Sequence, residues 1–411
     1  MTGPGRQRNS EMPPIGRRMA QLRARRGMTQ QVFANRIGRS KSWVDKVERG
    51  ERHLDRLSVI ETVAEVLGVS PEILLTRQVR QPKPTDDVTG AVEQVRAALA
   101  CYDSPAPGVD EHQPPSPVAA QLKYAWTAYQ HAHHPQVLRM LPGLLGDARA
   151  LAATTRPEHT LDPLVQVYRL TAQVLVKLGE ANLAWLAADR AMATATGNPR
   201  HTAVAAIPLA QALRALDRGR LATAATLTAV RQLTPPPSHD AAPDDLALTG
   251  TLLVEAALSA ATCGDATAAH HLADHAARLA ELHDTHPDRD SGDLGFGSTV
   301  VDLARALIAA DLGDNYQAIT THQYATSGDA WRRLPAEHRA AHLIDITRAH
   351  LDLGDYPAAG RALVTADRIA PAETRIRPAA RAVLTSVLRA GTTSADVTRL
   401  AATIGLTRHQ T

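Results

Sequence analysis

Histidine is the first place to look for chemistry in this chain, which carries 18 of them in 411 residues. They gather at His131, His133 and His134, at His270, His271 and His275, and at His283 with His286. His271 and His275 are four apart, so one helix face would offer both imidazoles to a shared metal. No carboxylate or cysteine completes that pair and HEXXH is absent, so these read as histidines of polar helix faces, and no metal is expected. Cys101 and Cys263 make neither a CxxC pair nor a disulfide framework, which suits a reducing cytoplasm. The sequence holds no Walker loop, no GxGxxG after a strand, no GxSxG and no paired catalytic carboxylates. The expectation is a protein without enzymatic activity and without cofactors.

Charge points to a different chemistry. Residues 1–80 contain 16 Lys or Arg and 8 Asp or Glu, a balance of +8. The whole chain is +3, so residues 81–411 carry −5. A basic head on a mildly acidic body is the asymmetry expected when only the head meets phosphate. The composition, 44% hydrophobic but only 3% aromatic, suits helices packed on small side chains better than sheets. The N-terminus has no apolar run of the signal-peptide kind and no segment reads as membrane-spanning, so a cytoplasmic protein with no membrane partner is expected.

Helical punctuation in the head is dense. Ile15, Met19 and Leu22 recur at helical spacing up to Gly27. Thr29 is suited to cap a helix over Gln30–Ile37, and Gly38 to make the turn after it. Ser40 then caps a third helix, Lys41–Arg49, closed by Gly50. Leu57, Ile60, Val63, Ala64 and Leu67 give a fourth, and Ser70-Pro71 begins a short fifth.

Read as a string, TQQVFANRIGRSKSWVDKVERG resembles the Cro/cI-type helix-turn-helix family, also called XRE. The matching positions are Thr29, Gln30, Ala34, Gly38, Ser40, Val44, Glu48 and Gly50. The resemblance implies a five-helix, lambda-repressor-like DNA-binding domain over 15–76, preceded by a disordered tail, 1–14. Small Ala34 would let the third helix cross, with Val44 and Val47 filling the core beside it. In such domains the second of the paired helices enters the major groove. Mapped here, Lys41, Ser42 and Lys46 would read bases. Gln30, Arg39, Ser40, Trp43, Arg52 and Arg56 would touch the DNA backbone. Arg23 would pair with Glu48 as a structural salt bridge.

Residues 77–118 read as a Pro-rich linker with one short helix, Val88–Ala100. After it a theme recurs: an amphipathic helix, a glycine with a polar turn, then an Ala-rich helix. Gly179, Gly219, Gly264, Gly313 and Gly354 are 40, 45, 49 and 41 residues apart. The pattern resembles the tetratricopeptide repeat, most closely from Gly354 to Pro371, with HEAT-like hairpins the near alternative. An all-α fold follows, a small DNA-binding domain and then an α-solenoid of hairpins over 119–411. Its concave face would bind a peptide, small molecule or protein, and Gln173, Lys177 and His350 would line that groove. Two functions follow. One is a ligand-responsive, homodimeric transcriptional regulator acting on operator DNA. The other is an interaction scaffold whose repeats dock a partner protein, with DNA binding secondary.

Overall fold

Every regular element among the described residues is helical. The computed structural model describes residues 16, 19, 20, 23, 24, 28–52, 57–67, 84–101, 118–154, 163–233, 242–285, 295–391 and 393–406. The expectations placed on the tail, on Ile15, Leu22, Gly27, Arg56 and His286, on the fifth helix at Ser70-Pro71 and on the second Pro-rich stretch lie outside them. The chain divides into two units, Met1–Lys83 and Pro84–Thr411.

In the first unit, α1 (Gln30–Arg36), α2 (Lys41–Glu48) and α3 (Leu57–Val66) follow the turn over Met19, Ala20 and Arg23. Thr29 Oγ1 accepts from the Val32 N–H at 3.2 Å, and Ser40 Oγ from the Trp43 N–H at 3.2 Å, so both expected caps are made. Gly38 takes a φ of +67°, the left-handed conformation that closes α1 and that other residues resist. Phe33, Ala34, Val44, Val63 and Leu67 are buried at the centre. Gly16 was not singled out by sequence reasoning, yet a Cβ there would stand 1.8 Å from the Val47 carbonyl oxygen. Only glycine lets the first helical turn approach the end of α2 this closely.

The second unit begins with α4 (Pro84–Ala100), which the sequence placed in a linker. Val92, Val95 and Leu99 make a buried stripe at helical spacing, packed into the same core as the hairpins. The body therefore starts at 84 rather than 119. A lone amphipathic helix between Pro-rich stretches reads as linker only until its partner surface is known.

Hairpins follow in order: α5–α6 (Val118–Gln130, His134–Thr154), α7–α8 (Pro163–Lys177, Ala181–Thr194) and α9–α10 (Pro199–Ala215, Gly219–Gln232). Then come α11–α12 (Pro243–Thr262, Ala266–Thr285) and α13–α14 (Ser298–Asp311, Asn315–Ser327). After a short α15 (Asp329–Arg333), α16 (Ala336–Asp345) and α17 (Thr347–Asp352) pair with α18 (Tyr356–Ile369). Finally α19 (Pro371–Ile376) leads to α20–α21 (Pro378–Arg389, Ala395–Ile404). First helices α5, α7, α9, α11 and α13 touch in succession, the signature of a stacked solenoid. Helix α11 is apolar and long enough to cross a membrane by composition, but most of it is buried in this stack.

The turns share one device. Gly179, Gly264, Gly313 and Gly354 have φ between +73° and +88°, and the next residue's N–H reaches back to a carbonyl five residues earlier. Asp265, Asp314 and Asp355 then accept from the N–H three residues on, so Gly-Asp ends one helix and begins the next. Gly219 is an exception. The left-handed residue of that turn is Asp217, at φ +57°, and Gly219 lies inside α10. Its role is packing: a Cβ there would meet Cys263 Sγ at 2.6 Å and the Ser259 carbonyl at 2.7 Å.

The two ends of the solenoid meet. His134 Nε2 donates to Glu373 at 2.6 Å, Lys177 pairs with Glu337 and, at 3.4 Å, with Glu373, and the Tyr129 hydroxyl reaches Glu337. Pro378 lies against Gly179, and Ile376 packs into the N-terminal core.

Candidate nucleic-acid interface and ligand groove

Helix α2 divides cleanly into two faces. Val44 and Val47 point into the core, while Lys41, Ser42 and Lys46 are exposed on the opposite side. The cap at Ser40 fixes the N-terminal turn from which Lys41 and Ser42 project. Arg39 and Ser40 are exposed beside it, and the Arg39 guanidinium lies 5.6 Å from the centroid of the half-buried Trp43 ring. Trp43 therefore packs partly against its own domain and presents an edge. Arg52 is exposed past the end of α2. Asp45, the acidic residue of this helix, is joined to Arg49 at 2.5 Å.

Behind this surface stands a polar brace. Arg23 Nε and Nη2 donate to the two oxygens of Glu48 at 2.7 and 3.0 Å, and Arg23 Nη1 to the Met28 carbonyl at 2.6 Å. The Glu48 hydrogen bond raises the Arg23 pKa against the opposing effect of burial. Gln30 Nε2 also donates to Glu48, at 2.8 Å. Gln30 is thus a member of the Arg23–Glu48 brace, which ties the starts of the first two helices to the end of α2.

Residues 14–75 match the family model described as a helix-turn-helix domain. The head is a helix-turn-helix domain. Its α1 and α2 are the paired helices, and the turn between them is the one made by Gly38. A search of curated proteins found none that matches the chain. Among solved structures, one similar chain is Bacillus thuringiensis PlcR in complex with the peptide PapR7 and DNA. It is 10% identical, spanning 76% of this chain and 98% of that one, with a TM-score of 0.30. A likeness that loose carries no argument about this chain.

The three expected groove residues of the body are not brought together. Lys177 is held by Glu337 and Glu373, so it fastens the ends of the solenoid rather than facing a groove. His350 is 9% exposed and packs near His322. Gln173 is half-buried on α7. Sequence periodicity places a residue on a helix face, but it cannot show that a distant hairpin covers that face.

The fastening is a buried charge cluster. Burial pushes the Glu373 carboxyl up, but Lys177, His134 and Arg377 outweigh it and hold it well below the usual range. Burial lowers Lys177 and Arg377, and the surrounding Glu337, Glu373 and Asp345 raise both above their ordinary values. Burial, then Glu337 and Glu373, push Tyr129 well up. His134 is fully buried, which corrects its reading as a polar-face histidine, and His283 is 6% exposed. His131, His133, His270 and His271 do face solvent. Among the described residues no group of three or more His, Cys, Asp or Glu is placed to hold a metal.

Proposed function

We propose that this protein is a sequence-specific transcriptional regulator whose head reads operator DNA and whose solenoid receives the signal. The observation that carries the reading is the exposed face of α2, where Lys41, Ser42 and Lys46 stand clear of the core on the second helix of the pair. An exposed lysine pair at helical spacing, preceded by a capped turn, fits a major groove whose guanines offer O6 and N7 acceptors. Arg39, Ser40, Trp43 and Arg52 flank that face and suit phosphate and sugar contacts, with Arg56 in the following segment and Gln30 acting from the brace. The protein works as a homodimer in the cytoplasm, since one head covers too little DNA for tight operator binding.

Footprinting with selected operator sequences tests this. Lys41→Ala and Lys46→Ala are each expected to weaken the specific site by about 1–3 kcal/mol and relax preference at one position per half-site. Arg39→Ala is expected to weaken all sequences alike and to flatten the salt dependence. Unchanged footprints in both lysine variants would remove the groove assignment. The interaction-scaffold alternative would instead leave cellular function intact in the double lysine variant.

A further inference from the structure

Where the ends of the solenoid meet, a cavity of about 580 Å³ opens at the surface. One wall comes from the α5–α6 turn and the start of α6, with His131, His133, Gln136 and Arg139, and the other from Ile369 and Pro371 and their neighbours at the C-terminal end. Its volume is that of a site for a small organic ligand. No carboxylate lines it, although the body as a whole carries net negative charge. The polar groups are concentrated on the α6 side. His131 Nδ1 sits 3.0 Å from the Thr127 carbonyl, which can only accept, so Nδ1 bears the hydrogen and Nε2 remains available. Gln136 donates to the Tyr124 hydroxyl at 2.5 Å, which fixes its amide. The facing wall is apolar. We infer that this cavity binds a small amphipathic carboxylate, its anionic end on the Arg139 side and its apolar body against Ile369 and Pro371.

The two walls are joined in sequence to the buried fastening. His133 precedes His134, and the wall residue Ala372 precedes Glu373, so the cavity flanks the His134–Glu373 hydrogen bond at both ends. A ligand touching both walls has its full contacts only while the ends are together, and it therefore favours that arrangement. This deepens the signal-receiving part of the proposed function and rests on it. It also relocates the receiving site from the face of the first helices to the closure of the solenoid.

The shared chemistry, a carboxylate on an apolar body, could come from a peptide C-terminus or from an acyl acid. The full chain is titrated by calorimetry with the tetrapeptide Ala-Leu-Ala-Leu as free acid, with its C-terminal amide, and with octanoate. Saturable binding of the free acid, with the amide weaker by about tenfold or more, assigns a peptide; octanoate bound as well as the free acid assigns an acyl acid. In either case Arg139→Gln loses about tenfold, Ala372→Trp, which fills the cavity from the other wall, abolishes binding, and Tyr316→Ala on remote α14 changes nothing. Thermal midpoints of the variants guard against misfolding. No saturable binding of either acid, or binding indifferent to both Arg139→Gln and Ala372→Trp, overturns the site. Operator affinity measured with and without cell extract separates the two failures: an extract effect that survives Ala372→Trp removes this site and leaves the sensing role standing.

Discussion

Glu48 is 8% exposed in its side chain and accepts from Arg23 twice and from Gln30 once. Removing it strands a guanidinium and an amide beside the core. Glu48→Ala is expected to destabilise the head by about 3 kcal/mol, the range found when one partner of a largely buried pair is removed. Lys41→Ala, on the open face of the same helix, should stay within about 0.5 kcal/mol. Thermal melts of the two variants make the comparison, and equal midpoints would contradict the brace. A second residue-scale expectation concerns His322, whose Nδ1 meets His342 Nε2 at 2.9 Å. Burial, with His350 adding to it, lowers His322 to about 4. Burial and the neighbouring imidazoles of His322 and His338 lower His342 as well. Between pH 6.5 and about 4 the unfolded chain takes up a proton that folded His322 refuses, so stability falls as pH falls through that window, by up to about 3 kcal/mol. Above it His322 is neutral in both states and contributes no slope. Denaturant midpoints measured across the window check this, and His322→Gln should flatten the curve.

At the level of helices and turns, the sequence was most readable where backbone conformation demands a residue type. Four of the five glycines that marked the repeats do sit at left-handed turns. Two further turns were hidden because Ala132 and Asp217 occupy that conformation, at φ +59° and +57°. Ala132 ends the first hairpin's α5, so that hairpin left no glycine signal. Gly219 was noticed for the wrong reason, since its need for a small side chain comes from α11 and not from a turn. Gly219→Ala is expected to cost about 1–3 kcal/mol through overpacking. Asp217→Gly, two residues away and exposed, should stabilise by about 0.5–1 kcal/mol by relieving the left-handed backbone. Urea denaturation of the pair decides it: opposite signs are expected, and a neutral Gly219→Ala would contradict the close approach. The exposed face of α2 was legible for a similar reason, because caps, glycines and core positions recur there at fixed spacing. The fastening between Lys177, Glu337 and Glu373 was not, since nothing local records which residues meet across the solenoid.

For the whole molecule, the contact between His134 and Glu373 joins residues 239 positions apart. Stacked helical hairpins ordinarily behave as a one-dimensional array, in which each unit feels only its neighbours and the terminal units fray first. Joining the first unit to the last removes both free termini of that array. Local opening at either end then carries the cost of breaking the other, so the slowest-exchanging amides should extend to the outermost hairpins instead of fading toward them. Deleting residues 371–411 is accordingly expected to raise hydrogen exchange in 118–154, which would be indifferent in an open array. Closure also has a kinetic side. Every hairpin is made of near neighbours and forms early, but the final contact must wait for a loop of more than two hundred residues to come round, giving a late folding step that Glu373→Ala should erase while leaving helix formation at its original rate.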